Sequence, residues 1–373
     1  MMKDVFIVSD NILSPLGATT AENFTQLKRS ASGIKLHDDN KISPEPFHAS
    51  LFNNFQSTIK GTKFEQLLIV SISDALKNSG LNSNDKNTLL IISSTKGNIS
   101  LLETEENPAQ LKDGIALHHS AKLIAEYFGF IPQPIVVSNA CISGLLALLT
   151  GMRVIQSGQY ENVIVAGADV ISKFVLSGFQ SFQAISKKEC KPFDAARDGI
   201  NLGEGAATVI LSSNKKEPTD IKITGGSVSN DANHISGPSR TGEELFQAIK
   251  KAMQLAKLSA EEIDFISAHG TATIYNDEME AKAITLAGMQ SVPVNSLKGY
   301  YGHTLGAAGL IESVVTIHSM KENIIFPSKG FTELGVSNSV NIATSLQSKK
   351  LTHCLKTASG FGGCNAALVF SKQ

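Results

Sequence analysis

Pro134-Ile-Val-Val-Ser-Asn-Ala-Cys141-Ile-Ser-Gly144-Leu-Leu-Ala-Leu-Leu-Thr-Gly-Met-Arg153 is the stretch on which the reading of the whole chain turns. Ile135 to Val137 is a short apolar run that predicts a buried strand, and Leu145 to Ile155 is mostly apolar and predicts a helix. Only small and polar residues lie between them, so Cys141 falls on a sharp strand-to-helix turn. A thiol there faces the positive end of a helix dipole, which favours thiolate over thiol. Ala140, Ser143 and Gly144 are small enough for a substrate carbonyl to approach the backbone N–H groups. This is the setting of a nucleophile elbow with cysteine in the nucleophile's place. On this stretch alone, a buried cysteine acting as a small hydrophobe reads the sequence equally well.

The 373 residues are 42% apolar and 18% charged, ordinary for a soluble globular protein with room for two packed layers or two domains. A formal net charge of −1 gives no electrostatic case for nucleic acid or an anionic membrane as partner. Cys141, Cys190, Cys354 and Cys364 show neither CxxC spacing nor a histidine pair in a metal-binding pattern. Reduced thiols in a cytoplasmic protein, with no metal centre, are therefore expected. Met1 to Val8 lacks the apolar core of a signal peptide, and no apolar run approaches the ~18 residues of a membrane span.

Strand and helix patterns alternate along the chain. Strands are expected at Val5–Val8, Thr88–Ser93, Asn162–Ala168, Gly205–Ser212, Ile221–Val228, Ile263–Ser267 and Pro293–Asn295, with a hairpin of His353–Ala358 and Ala366–Ser371 at the end. Helices are expected at Thr20–Ser30, Phe64–Asn78, His118–Phe128, Gly178–Ser186, Glu243–Ala256, Asp277–Ala287 and Leu305–Lys321. The polar segment 33–62 reads as surface loop, and 97–114 as a loop or short helix. Such alternation argues for an α/β fold. One echo stands out: strand, turn, Gly-containing apolar helix and strand occur at 135–166 and again at 292–326. It points to two duplicated halves.

Three further stretches carry chemistry. His269 leaves the end of a predicted strand into a loop with Gly270, Thr271 and Thr273. Strand ends are where α/β folds build their sites, although a lone histidine there also serves as a hydrogen-bonded structural residue. His303 stands at the entrance of a Gly/Ala-rich helix, in the slot equivalent to that of Cys141, where the helix dipole disfavours imidazolium. Lys298, five residues earlier, reads on its own as either a site residue or a solvated lysine. Gly360-Phe361-Gly-Gly-Cys364-Asn365 is a Gly-rich turn able to bring backbone N–H groups to a substrate oxygen, or a plain hairpin.

Together these stretches resemble the β-ketoacyl-acyl-carrier-protein synthases of the elongating type, which have the thiolase fold. Five ordered motifs carry the resemblance over nearly the whole chain: Asn139 to Gly144, Lys191 to Ala206, Ala268 to Thr273, Lys298 to Gly309 and Gly360 to Gly363. The resemblance implies a five-layered α-β-α-β-α fold from two halves, 1–215 with the nucleophile and 216–373 with the histidines. It implies that Cys141 accepts an acyl group, with the N–H groups of Cys141 and Phe361 as oxyanion hole. His269 and His303 would bind the malonyl thioester carbonyl as CO2 leaves, and the carbanion would attack the acyl-Cys141 thioester. Lys298 matches the family's buried lysine and Glu280 its carboxylate partner. Thr271, Thr273 and Ser236 match positions that bond the pantetheine arm, Phe361 the gate, and Phe179 the wall of the acyl tunnel. No cofactor is implied beyond the phosphopantetheine on which an acyl carrier protein brings the substrates. The usual state is a dimer, of identical chains or with a paralogous subunit.

The chain departs from the family pattern in places. It is shorter between 93 and 118 and between 186 and 193; Ile142 follows the cysteine where a smaller residue is usual, and Tyr300-Tyr301 replaces a smaller pair. Ile274 to Asp277 is closer to polyketide-type synthases, which points to a specialised lipid, polyene or polyketide pathway. Two rival readings are a non-condensing partner subunit of the chain-length-factor kind and a coenzyme A-dependent thiolase using Cys364 as second cysteine.

Overall fold

The computed structural model describes residues 3–217, 221–232 and 237–372. Two runs of elements make its frame. The first is β1 (Phe6–Leu13), α1 (Lys63–Ser79), β2 (Thr88–Ser93), α2 (Leu117–Phe128), β3 (Ile135–Val137), α3 (Ser143–Gln156), β4 (Asn162–Asp169) and β5 (Gly205–Ser212). The second repeats it as β6 (Ile221–Asn230), α4 (Glu243–Ala256), β7 (Phe265–Ser267), α5 (Ile274–Leu286), β8 (Pro293–Asn295), α6 (Ala308–Glu322), β9 (His353–Gly360) and β10 (Cys364–Lys372).

Hydrogen bonding orders the strands β3-β2-β4-β5-β1 in one run and β8-β7-β9-β10-β6 in the other. Their senses match as well. The third strand is parallel to the second and the second to the fourth, while the fifth is antiparallel to both neighbours. Adding five to each label of the first sheet gives the second. The sheets meet where Phe6 and Ile7 pair with Lys222 and Ile221. The echo at 135–166 and 292–326 is thus one part of a duplication of the whole frame.

The side-chain alternation of the strands sets the layers. In β2, Leu89 and Ile91 face one way, Leu90 and Ile92 the other, and all four are buried, as expected of a sheet covered on both faces. Leu90, Ile92 and Ile164 pack against Leu67 and Leu68 of α1 and Ile124 of α2. Leu89 and Val163, with Leu368 and Phe370 of the second sheet, enclose Leu145 and Leu148 of α3 and Leu310 of α6. On the far side, Leu355 and Val369 lie under Ile249 of α4 and Ile284 of α5. Five layers result: α1/α2, sheet, α3/α6, sheet, α4/α5.

The two central helices meet backbone to backbone. A methyl group at Gly144 would stand 2.9 Å from both Gly306 O and Leu310 N, and one at Gly309 2.7 Å from Leu145 N. This contact draws the start of α3, which follows Cys141, against the start of α6, which follows His303.

Some expectations change. Segment 33–62 is not all loop: Ile34–His37 pairs with Phe47–Ser50, which in turn pairs with Leu202–Gly203, in a small sheet. Its strands are too short and too mixed in polarity for periodicity to mark them. The helix expected at Gly178–Ser186 runs over Lys173–Ser181, because Ser172 caps its start by accepting from Val175 N. The helix expected from Asp277 begins at Ile274, with Thr273 as N-cap. Leu305–Lys321 divides into a 3₁₀ turn at Leu305–Ala307 and α6, since Leu305 sits at φ +50°.

Gly144→Ala separates two opposing effects. In an ordinary helix it stabilises by ~0.5–1 kcal/mol. Here the added methyl meets backbone, and overpacking of this kind costs ~1–3 kcal/mol. Thermal unfolding of Gly144→Ala is expected to show a lowered Tm; a raised Tm would mean the helix crossing has slack.

Candidate active site

Cys141, His269, His303 and Phe361 come from four separate strand ends. Cys141 follows β3, His269 follows β7, His303 lies between β8 and α6, and Phe361 starts the turn after β9. The parallel strands of each sheet deliver their carboxyl ends to one side, the side where open α/β sheets place ligands.

The elbow at Cys141 is built locally. Ala140 takes φ +42°, a left-handed value that costs a non-glycine residue energy and appears where the surroundings enforce it. Ser143 Oγ accepts from Asn139 N at 2.8 Å and donates to Ala140 O at 2.6 Å, tying the turn to the first residue of α3. Gly360 lies directly against it: a methyl there would stand 2.9 Å from Cys141 N. The Gly360–Phe361 backbone therefore borders the N–H of the nucleophile.

Cys141 Sγ and one ring nitrogen from each of His269 and His303 lie within 4.8 Å of one another. The two imidazoles are edge to face, with centroids 5.2 Å apart. Each leaves a buried Nδ1 without a hydrogen-bond partner, an atom type that folded proteins seldom leave unsatisfied away from a site of action. All three residues border one cavity of about 420 Å³. Among the described residues no other trio of Cys, His, Asp and Glu converges in this way. The donor types would suit a soft cation, but two ammonium groups, Lys298 and Lys356, act on the imidazoles and oppose further positive charge.

Burial, and after it the Lys298 ammonium, holds both imidazoles well below their usual pKa, with Lys356 adding to the effect. Both rings are therefore neutral at pH 7. Burial pushes the Cys141 thiol up to about 12, with Cys364 and Asp169 acting in the same direction and Lys298 and Lys96 against it. That corrects the expectation of a resting thiolate. Desolvation outweighs the helix end, and the resting group is a thiol.

Glu280 is also placed differently from the expectation. It accepts from His269 N at 2.8 Å, Gly270 N at 2.7 Å and Thr357 Oγ1 at 2.6 Å. The carboxylate that Lys298 meets is Glu312 of α6, and Lys298 Nζ also donates to His269 O at 3.1 Å. Glu312 also pairs with Lys356 of β9 at 2.8 Å. Sequence pattern singles out neither residue, yet each leaves a mark: Lys356 is the one Lys, Arg, Asp or Glu of β9, and Glu312 sits in the apolar, buried first half of α6, ahead of Lys321 and Glu322.

The remaining residues fall around the cavity. Thr271 and Thr273 line it with their hydroxyls 2.9 Å apart. Phe179 lines it too, stacked on Phe361 at 5.8 Å, with Phe182 on another side of Phe361 at 5.4 Å. Ser236 lies outside the described residues. Ile142, Tyr300 and Tyr301 do not border the cavity; all three are buried in the central core. Cys364 is likewise absent from the cavity wall, and its Sγ donates to Phe361 O at 3.4 Å.

Comparison with known proteins gives the family. The model for the beta-ketoacyl synthase N-terminal domain matches residues 2–217, and that for the beta-ketoacyl synthase C-terminal domain matches 221–332. A 3-oxoacyl-[acyl-carrier-protein] synthase 2 of Vibrio cholerae is 28% identical, with 99% of each chain covered. A putative mitochondrial 3-oxoacyl-[acyl-carrier-protein] synthase of Schizosaccharomyces pombe is 30% identical over 69% of this chain and 66% of its own. Among solved structures, a ketosynthase of Xenorhabdus doucetiae in complex with its chain length factor superposes with a TM-score of 0.88. That match covers 100% of this chain and 98% of the other at 23% identity, a likeness of fold. The chain belongs to the beta-ketoacyl synthase family.

Proposed function

We propose that the protein joins an acyl group to malonyl-acyl-carrier protein by decarboxylative Claisen condensation, giving 3-oxoacyl-carrier protein and CO2. The observation that carries this reading is the convergence of one thiol and two neutral imidazoles on a single cavity. In the first step Cys141 sulfur attacks the carbonyl of an acyl thioester carried on phosphopantetheine. The C–S bond to the carrier breaks, and the Cys141 proton leaves with the carrier thiol. The N–H groups of Cys141 and Phe361 receive the developing oxyanion, each such donor contributing ~3 kcal/mol.

Malonyl-carrier then enters, with its pantetheine arm along Thr271 and Thr273. Neutral His269 and His303 each donate to the thioester oxygen. As the carboxylate departs as CO2, its electron pair moves toward that oxygen and the two donors stabilise the enolate. An imidazolium in either place would instead pair with the malonyl carboxylate and hold it in the ground state, so neutrality matters. The enolate carbon attacks acyl-Cys141, and the sulfur leaves and recovers a proton. Phe361, clasped by Phe179 and Phe182, gates between the acyl and malonyl sides. The halves 1–215 and 216–373 divide the work, one presenting the nucleophile and the other the enolate site. Lys298 and Glu280 act through His269: Lys298 Nζ bonds its carbonyl, and Glu280 accepts from its N–H.

The protein works in the cytoplasm with an acyl carrier protein, as a dimer with itself or a paralogous subunit, in fatty-acid or specialised polyene or polyketide synthesis. A chain-length-factor role is disfavoured because the nucleophile and both histidines are in place. A thiolase mechanism is disfavoured because Cys364 turns to a backbone carbonyl.

Cys141→Gln is expected to release CO2 from malonyl-carrier while losing condensation. In that background His269→Ala or His303→Ala is expected to lower decarboxylation by ~10²–10³-fold. Retained CO2 release after both histidines are removed would sink the enolate assignment. The raised thiol pKa supplies a separate measurement. Alkylation of Cys141 by iodoacetamide, followed by intact mass, is expected to climb about tenfold per pH unit through pH ~10, since thiolate fraction limits the rate. A plateau near neutrality would mean a resting thiolate instead.

A further inference from the structure

Lys356 sits at the centre of β9, fully buried, in register with Ser267 of β7 and Leu368 of β10. Charge in the middle of an internal strand is costly unless it is fully engaged. Here it is engaged on every side. Its Nζ lies 3.1 Å from Ser267 O, 3.3 Å from Ala268 O, 2.6 Å from Thr357 O and 2.8 Å from a Glu312 carboxylate oxygen. All four neighbours are acceptors. A neutral amine has only two N–H donors and would turn its lone pair toward oxygen, so the cage calls for ammonium.

The carbonyls it holds are those immediately before His269. Continuing along the chain, His269 O accepts from Lys298, and the N–H groups of His269 and Gly270 donate to Glu280. From 267 to 270 the strand end is thus gripped by ionic groups on both sides. Lys298 and Lys356 share Glu312, and the Glu280 carboxylate acts on Lys356 from farther off, so the cluster holds two ammonium groups and two carboxylates.

We propose that Lys356 is a positioning residue of the condensation site, a second buried ammonium that fixes the strand end carrying His269 and brings the charge cluster behind the histidines to zero. This rests on the function proposed above. The consequence is electrostatic. Lys298 and Lys356 of β9 act on both imidazoles, Glu280 of α5 holds the His269 and Gly270 N–H groups, Glu312 of α6 pairs with both ammonium groups, and Cys141, Asp198 and Asp231 border the same cavity; behind Glu280 lies Asp277, with Arg197 and Cys190 beyond it. Removing the Lys356 charge leaves the cluster one unit negative, which favours imidazolium. Removing the Glu312 charge leaves it one unit positive, which disfavours it. Removing both restores the balance.

The test uses the full chain in a Cys141→Gln background, following CO2 release from malonyl-carrier against pH. Lys356→Met is expected to move the acid limb up by about one pH unit and lower the plateau about tenfold. Glu312→Gln is expected to move the limb down, and Lys356→Met with Glu312→Gln to return it to the parent position. Asp277, whose carboxyl burial raises to about 7, titrates in the same window but in every variant alike, so the difference between variants is the readout. An unmoved limb in Lys356→Met, or a double variant no nearer the parent than the single, would overturn the proposal. Where Lys356→Met fails to fold, Glu312→Gln and the double variant decide. If the parent itself releases no CO2, the condensation reading fails separately. The role of Lys356 is then read from carbethoxylation of His269 and His303 by diethyl pyrocarbonate against pH, which requires the same ordering of variants.

Discussion

The contact between α3 and α6 is the constraint on which the rest of the molecule depends. Each helix presents glycine to the other, Gly144 on one side and Gly309 on the other, and the backbones approach as side chains would not permit. Because Cys141 and His303 lie just before these helices, the crossing sets how near the nucleophile stands to the enolate site. Sheets of the two halves join elsewhere along only a short edge. The central layer, with Leu145, Leu148 and Leu310 in one apolar cluster, therefore holds the halves in register.

Around that crossing the site is made of opposed charges kept out of water. Two carboxylates and two ammonium groups lie within or beside the core: Glu312 pairs with both Lys298 and Lys356, while Glu280 accepts from two backbone N–H groups and a hydroxyl. Pairs of this kind are weak contributors to stability, because desolvation offsets much of the attraction. Their value here is positional. Glu280 fixes the backbone N–H of His269, Lys298 its carbonyl, and Lys356 the two carbonyls before it, so the ring has little freedom to turn away from its partner. The same ammonium groups, with burial, keep both rings neutral.

Much of this was legible in the sequence, for identifiable reasons. Buried parallel strands are short continuous apolar runs, so Thr88–Ser93, Ile135–Val137 and Pro293–Asn295 could be read to the residue. Cys141, His269 and His303 stood out because each follows such a run and is flanked by small residues. What was not legible depends on partners distant in the chain. In the segment 33–62, the pair Ile34–His37 and Phe47–Ser50 is completed by Leu202–Gly203, far on in the chain. Glu312 meets Lys298 across a turn of chain and Lys356 across a sheet, and no local spacing announces either pair. The thiol's state is hidden from the sequence for the same reason: helix position is local, whereas burial is a property of the assembled fold.

The duplication also explains why, among the described residues, two similar halves form one reaction centre between them. The slot after β3 holds Cys141 and the equivalent slot after β8 holds His303, and both face one cavity. The other pair of equivalent slots differs in kind. After β7 the second half carries His269, and at the end of β9 it carries the Gly360–Phe361 turn, open enough to border the cavity. In the first half, the segment after β2 is instead folded onto the carboxylate at the end of β4. Asp169 accepts from Ser94 Oγ at 2.7 Å and from the N–H groups of Thr95 and Lys96. It also accepts from Gly306 N at 2.6 Å, at the start of the segment leading into α6. The place that would mirror the histidine site is thus closed by an acceptor that anchors the helix crossing. One half gives up its own site and, through Asp169, secures the geometry of the other.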